Sequence, residues 1–276
     1  MPSGNDAQMA MMNGRVLIIA GSDSGGGAGI QADIKTVTML DGFAATAVTA
    51  LTAQNTEGVF AVLPIAPDFI RRQIEVVLDD IGADAVKTGM LHDAAVIETV
   101  AEVLAGRAPD VPLIVDPVMV AKGGAPLIEP GAIEALKRLL VPHAAVLTPN
   151  LPEAEILLGR AIDSLAAMQD AAEQLRDLGC AAALLKGGHL AGGTVYDALA
   201  TAAGLRVWES PRIDSRHTHG TGCTLASAIA AGLAQGLGVE EAVERAREYV
   251  RRAILSAPGL GRGHGPLDHA HPLRTA

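Results

Sequence analysis

RVLIIAGSDSGGGAGIQADIKTVTML, residues 15–40, holds one complete structural unit. Residues 15–20 are an apolar run of the length of a buried strand, and the run ends in Gly21. Residues 29–40 place Ile30, Ile34, Val37 and Leu40 at the helical period. A strand that turns through glycines into a helix is the opening unit of a parallel sheet covered by helices. Downstream, residues 44–53 and 59–65 read as strands. Pro67 then opens a helix with Phe69, Ile70, Ile74, Val77 and Leu78 on one face. Strands at 85–87, 112–115, 144–147 and 181–185 alternate with helices at 93–104, 130–140, 152–158 and 164–178. Residues 195–200 and 206–209 read as a strand pair, and 221–235 and 239–255 as helices. The expectation is a three-layer αβα sandwich around a mostly parallel central sheet. It forms one domain over 14–276, with 1–13 as a disordered arm. The segment 259–276 is irregular by composition.

Composition narrows the function. The chain has 276 residues, 49% of them hydrophobic but only 2% aromatic, so Ala, Val, Ile and Leu must build the core. A net charge of −10 with almost no aromatic residues is a poor match to nucleic acid, which needs basic tracks and stacking surfaces. Mean hydropathy is +0.31, and residues 217–239 lack Lys, Arg, Asp and Glu. That stretch nevertheless opens with His, Thr and Gly, which a lipid-facing span would not carry. No membrane partner is expected. The start has no basic segment followed by an apolar run, so it does not read as a signal peptide. Cys180 and Cys223 make no metal-spaced pair and fit a reducing compartment, the cytoplasm.

In sheets of this kind ligands gather at the carboxyl ends of the strands. The residues there are Gly21–Ser22–Asp23, Gln54–Asn55, Thr88–Gly89–Met90, Asp116, Thr148–Pro149–Asn150 and Lys186–Gly187–Gly188, polar or glycine-rich at every place. Residues 21–33 form a glycine-rich loop with neither a Walker lysine nor a complete dinucleotide fingerprint. It reads equally as a structural turn or a ligand loop, with Asp23 free to accept hydrogen bonds from a ligand. HTHGTGCTLASAIAA, residues 217–231, is sharper. Gly220, Thr221 and Gly222 offer backbone amides at a positive helix end, a cradle for phosphate, and Cys223 falls in the first turn, where the dipole favours thiolate. The alternative is a capped helix start with a small buried cysteine. Lys186, before two glycines, is either a mobile phosphate-seeking charge or a solvated lysine. Asp116, Asn150 and Glu153 are hard oxygen donors that suit Mg²⁺ held largely through water. The alternative for Glu153 is a first-turn helix carboxylate that merely complements the dipole. His264, His269 and His271 read as a solvated or locally packed tail.

Together these stretches resemble the ribokinase-like superfamily, and within it the hydroxymethylpyrimidine/phosphomethylpyrimidine kinases of thiamine synthesis. The carriers, in family order, are 20–36, 48–56, KTGM (87–90), DPVM (116–119), TPNLPEAE (148–155), LLKGGH (184–189), HTHGTGCTL (217–225) and GHGPLDH (263–269). The resemblance implies a kinase that phosphorylates a pyrimidine hydroxymethyl group with ATP and then phosphorylates the monophosphate again. The pyrimidine is expected near Gly21, Asp23, Gln54, Met90 and Val118. The ATP phosphates are expected against Asn150, Lys186, Gly220, Thr221 and Gly222. Cys223 is expected as catalytic base, Lys186 as charge stabiliser, and Asp116 and Glu153 as holders of Mg²⁺. A homodimer is the family expectation. Pyridoxal kinase on the same fold is the nearest rival.

Overall fold

The computed structural model describes residues 13–120, 124 and 127–274; the expected arm 1–13 lies almost wholly outside them. A single nine-stranded sheet runs in the order β3-β2-β1-β4-β5-β6-β7-β8-β9. Its strands are β1 (Arg15–Asp23), β2 (Phe43–Gln54), β3 (Val59–Pro64), β4 (Ala85–Thr88), β5 (Leu113–Val115), β6 (Ala144–Leu147), β7 (Ala183–Lys186), β8 (Thr194–Thr201) and β9 (Gly204–Pro211). From β2 through β1, β4, β5 and β6 to β7 all pairings are parallel; β3, β8 and β9 are antiparallel additions at the two edges.

The period of two along β1 shows why the sheet needs cover on both faces. Leu17 and Ile19 enter one core with helices α2 (Pro67–Asp80), α3 (Ala94–Arg107), α4 (Pro130–Leu139), α5 (Leu151–Leu158) and α6 (Leu165–Arg176). Val16, Ile18 and Ala20 enter the other, with α1 (Gly29–Met39), α7 (Thr221–Ala234) and α8 (Val239–Leu255). The α7 helix is apolar almost all round because it lies between the sheet and α8, and its residues from Thr224 to Gly232 are all buried.

Element ends fall within a few residues of expectation. The chief difference is β1, which continues through Gly21–Ser22 to Asp23 by shifting register against β2 between Ala20 and Ser22. That bulge lets glycine and acid residues ride a strand that pattern alone ends at Ala20. The C-terminal segment, irregular as expected, is also tightly held. His264 N–H donates to Thr56 O at 2.8 Å, Tyr249 Oη–H donates to His269 O at 2.7 Å, and Asp268, His269 and His271 are buried. Burial pushes the His269 imidazole down to about 4, so it is neutral, and its ring meets Thr224 Oγ1 at 3.0 Å. His269 and His271 thus belong to a packed tail, and His264 lies at its exposed part.

Candidate active site

Because the central strands are parallel, the strand-end residues lie along one edge of the sheet, and the N-termini of α1 and α7 open onto the same edge. Gly220 caps α7 in the left-handed region, at φ +84°, and a Cβ there would lie 1.8 Å from Gly27 O. Only glycine lets the α7 entry touch the glycine-rich loop so closely. A Cβ on Gly222 would sit 3.2 Å from Lys186 Nζ and 3.7 Å from Asp116 Oδ2, so the first turn of α7 faces that lysine and that carboxylate. The cradle is narrower than expected. Thr221 N–H already leans on Thr218 O at 3.4 Å, and its hydroxyl donates to the same oxygen at 2.7 Å. The Gly222 and Cys223 amides, within the first turn, are the orphan donors.

Lys186 Nζ donates to Asp116 Oδ1 at 3.0 Å, and Thr148 Oγ1 reaches the same carboxylate oxygen at 3.3 Å. Burial opposes the ammonium, but Asp116 and Glu153 outweigh it and hold the Lys186 pKa above the ordinary lysine value. Lys186 is therefore a charged, partly buried lysine and not a solvated one. Asn150 and Glu153 form a capping box on α5. Asn150 Oδ1 accepts from Glu153 N–H at 2.9 Å, and Glu153 Oε2 accepts from Asn150 N–H at 2.8 Å. The helix-cap alternative for Glu153 is thus realised, and the Asn150 side-chain oxygen is engaged there. Burial pushes the Glu153 carboxyl up to about 7, against the pull of Lys186.

Two expectations are corrected here. Asp23 is not open to a ligand. Its Oδ1 accepts Gly25 N–H at 2.7 Å, and its Oδ2 accepts Gly27 N–H at 3.1 Å, Ala28 N–H at 2.9 Å and His219 Nε2 at 2.9 Å. Burial alone would raise this carboxyl, but the His219 and backbone hydrogen bonds bring it below its usual range. Asp23 shapes the loop and ties it to the α7 entry. Cys223 is not a standing thiolate. Burial pushes its thiol up to about 12, against the favourable charge of Lys87 and the Gly29 amide, while Asp33 and Asp116 add to the rise. Desolvation of the sulfur outweighs the helix dipole.

Gly21 and Met90 come together, since a Cβ on Gly21 would lie 3.2 Å from Met90 Sδ; Thr49 Oγ1–H fixes the Met90 carbonyl at 2.6 Å. Gln54 lies nearby with its amide 3.3 Å from His219 Nε2 and 3.2 Å from Thr52 Oγ1. Gln54 Oε1 accepts from the Thr52 hydroxyl, and its amide nitrogen lies against a His219 ring nitrogen whose one hydrogen goes to Asp23, so the amide keeps donor and acceptor capacity for a ligand. Val118 sits two residues beyond Asp116, its N–H on Asp116 O at 2.8 Å, and no hydrogen bond joins it to the Gly21–Met90 pair among the described residues.

Sequence reasoning passed over His219, and over Lys87, Asp33 and Ser227, which form a sealed network beneath α7. A lone charge inside the apolar strand AVKT was the available signal for Lys87. Among the described residues no group of His, Cys, Asp and Glu could hold a metal ion directly.

The family model for phosphomethylpyrimidine kinase matches residues 23–268. The chain belongs to the phosphomethylpyrimidine kinase family. Membership makes it a kinase, a phosphotransferase of small molecules. It is 49% identical to the hydroxymethylpyrimidine/phosphomethylpyrimidine kinase of Streptomyces coelicolor, over 94% of this chain and 95% of that one. It is 52% identical, over 93% of its length, to the thiamine biosynthesis bifunctional protein ThiED of Geobacter sulfurreducens, and spans 52% of that longer protein. Among solved structures, an ADP complex of Bacillus subtilis pyridoxal kinase superposes with a TM-score of 0.87 at 37% identity, covering 96% of this chain and 100% of that one. The architecture is thus the ribokinase-like αβα sandwich that the strand-end pattern implied. No helix among the described residues is long and apolar enough to cross a membrane.

Proposed function

We propose that this kinase transfers the γ-phosphoryl group of ATP to the hydroxymethyl oxygen of 4-amino-5-hydroxymethyl-2-methylpyrimidine, and then phosphorylates that monophosphate, in thiamine diphosphate synthesis. The observation that carries the reading is the meeting of Lys186, Asp116 and the first turn of α7 at Gly222, beside the glycine-rich loop, whose Gly27 lies against Gly220. Phosphoryl transfer asks a protein mainly for alignment and charge stabilisation. Lys186 and the Gly222 and Cys223 amides supply donors to the equatorial phosphate oxygens. The free edge of the Gln54 amide matches an aminopyrimidine, which offers one donor beside one acceptor. Cys223, a thiol at rest, first gives its proton to water, and the thiolate so formed takes the hydroxyl proton as the alcohol oxygen bonds to phosphorus and the bond to ADP breaks, which leaves the thiol as it began.

Asp116 and Glu153 are too few for an all-protein metal site and fit Mg²⁺ held through water and substrate phosphates. Bound there, Mg²⁺ supplies neutralisation of phosphate charge. The free thiols Cys180 and Cys223 suit the cytoplasm. A second copy of the chain is proposed to cover the β2–β3 edge, where Leu51, Phe60 and Leu63 are exposed by 44%, 71% and 61%; Phe60→Asp would then leave a monomer in sedimentation. Pyridoxal kinase activity is the second reading, favoured by the likeness to the Bacillus subtilis enzyme.

The deciding experiment measures ADP release with hydroxymethylpyrimidine and with pyridoxal. A higher kcat/KM for the pyrimidine supports the first reading, and the reverse supports the second. For Cys223, the Ser variant is expected to lose nearly all turnover and the Asp variant to keep a measurable part, since aspartate is charged where serine is not. A fully active, equally stable Cys223→Ser enzyme removes the proton acceptor from this mechanism.

A further inference from the structure

Cys223 and Ser227 stand one helical turn apart and share a face of α7. Along that face runs α1, whose Asp33 accepts the Ser227 hydroxyl in a 2.7 Å hydrogen bond. Lys87 rises from β4 between them. Its Nζ donates to both Asp33 oxygens at 3.0 Å, and a Cβ on Gly89 would lie 3.0 Å from it. Lys87, Asp33 and Ser227 are all 0% exposed. Nothing in the mechanism above uses this charge, and a sealed ion pair is no bargain in stability compared with apolar residues of the same size.

We propose that Lys87 is a positioning residue for the reaction: its buried ammonium, pinned by Asp33 and Ser227 beneath α7, sets how much of Cys223 is thiolate, the form that accepts the hydroxyl proton. The proposal rests on the reading of Cys223 as proton acceptor. The charged groups around the sulfur are Lys87 from β4, Asp33 from α1, Asp116 beyond β5 and Lys186 from β7. Lys87 is the leading influence in favour of thiolate, and Asp33 and Asp116 act against it. Lys87 and Asp33 therefore push the sulfur in opposite directions, although they are partners in one contact.

That opposition gives the test. The rate at which iodoacetamide alkylates the Cys223 peptide is followed by mass spectrometry between pH 8 and 10, in EDTA. Lys87→Met should slow alkylation about tenfold, one pK unit, and Asp33→Asn should speed it. The double variant is neutral and nearly isosteric, so it remains readable if either single variant fails to fold. Because Lys87 outweighs Asp33 at the sulfur, the double should react about threefold more slowly than the parent. A purely structural pair predicts that both single variants loosen the helix start and expose the thiol alike. Single variants that shift the same way, or a folded double that reacts at or above the parent rate, would overturn the proposal. Failure of the acceptor reading shows separately, as Cys223→Ser turnover that matches the parent while the alkylation rates still divide as described.

Discussion

The structure contains two lysine–aspartate pairs whose lysines stand at the ends of two parallel strands of one sheet, β4 and β7, each pair closed at 3.0 Å. Their surroundings differ. Lys186 keeps 13% of its side chain exposed against 2% for Asp116, whereas Lys87 and Asp33 are both at 0%. Lys186 makes a single contact to one carboxylate oxygen and faces the first turn of α7, so a phosphate can replace or share its partner. Lys87 grips both oxygens of Asp33, which Ser227 holds from a third side, and no anion from outside can reach it. The same ion pair serves as a ligand site where it touches solvent and as a fixed internal field where it does not.

The comparison breaks first on stability. Removing one member of a sealed pair leaves an uncompensated buried charge, which costs about 3–5 kcal/mol. Lys87→Met should lower the unfolding free energy by about that amount, with partial recovery when Asp33→Asn is added. Denaturant titration of both proteins checks it, and a Lys87→Met protein as stable as the parent would mean that Asp33 finds water or another partner.

Lys186→Met should reverse the balance. Losing one charge-stabilising donor costs roughly 10²–10³ in kcat, about 2.7–4 kcal/mol. The stability loss should be smaller than for Lys87, because Asp116 keeps Thr148 and its lysine partner, 13% exposed, does not seal it from solvent on every side. Steady-state kinetics beside a thermal melt separates the two quantities. Near-normal turnover would leave Lys186 a structural lysine.

The two pairs also differ in how readily sequence reveals them. Lys186 stands before two glycines at the end of an apolar strand, and that local signal suffices to mark a strand-end cation. The parallel order, the glycine-rich loop and the α7 start are likewise written in short contiguous stretches. The Lys87 network is not: its partners lie 54 residues away at Asp33 and, from Asp33, 194 residues away at Ser227. Only the stacking of α1 on α7 brings them together. Asp23 and Cys223 went astray for a related reason. Sequence shows which residue stands beside a helix start, but not that loop amides already fill its oxygens or that burial outweighs the dipole at its sulfur.

On the open side of the molecule, Gln54→Ala should act on one substrate. A neutral hydrogen bond to the pyrimidine is worth about 1 kcal/mol, so KM for the pyrimidine should rise roughly fivefold to tenfold while KM for ATP stays within about twofold. Equal changes in both would assign Gln54 to holding His219 in place.

The smallest expected effect concerns Glu153, which is near Lys186 and has no counterpart beside Lys87. Its carboxyl is pushed by burial from 4.5 to about 7, so between those values the folded chain binds a proton that the unfolded chain has released. Stability therefore falls as pH rises through this window, and above it the full penalty of a buried carboxylate is present. Glu153→Gln keeps an oxygen for the Asn150 amide and removes the titration. The variant should match the parent near pH 4.5 and exceed its stability at pH 8 by about 1 kcal/mol, a modest gain because the Lys186 charge offsets part of the cost of burying the carboxylate. Urea titrations at pH 4.5, 6 and 8 would show the two curves parting as pH rises. Curves that stay parallel would mean that Lys186 keeps Glu153 ionised throughout, with the pair at the mouth of α7 acting as a three-charge cluster already set to receive phosphate.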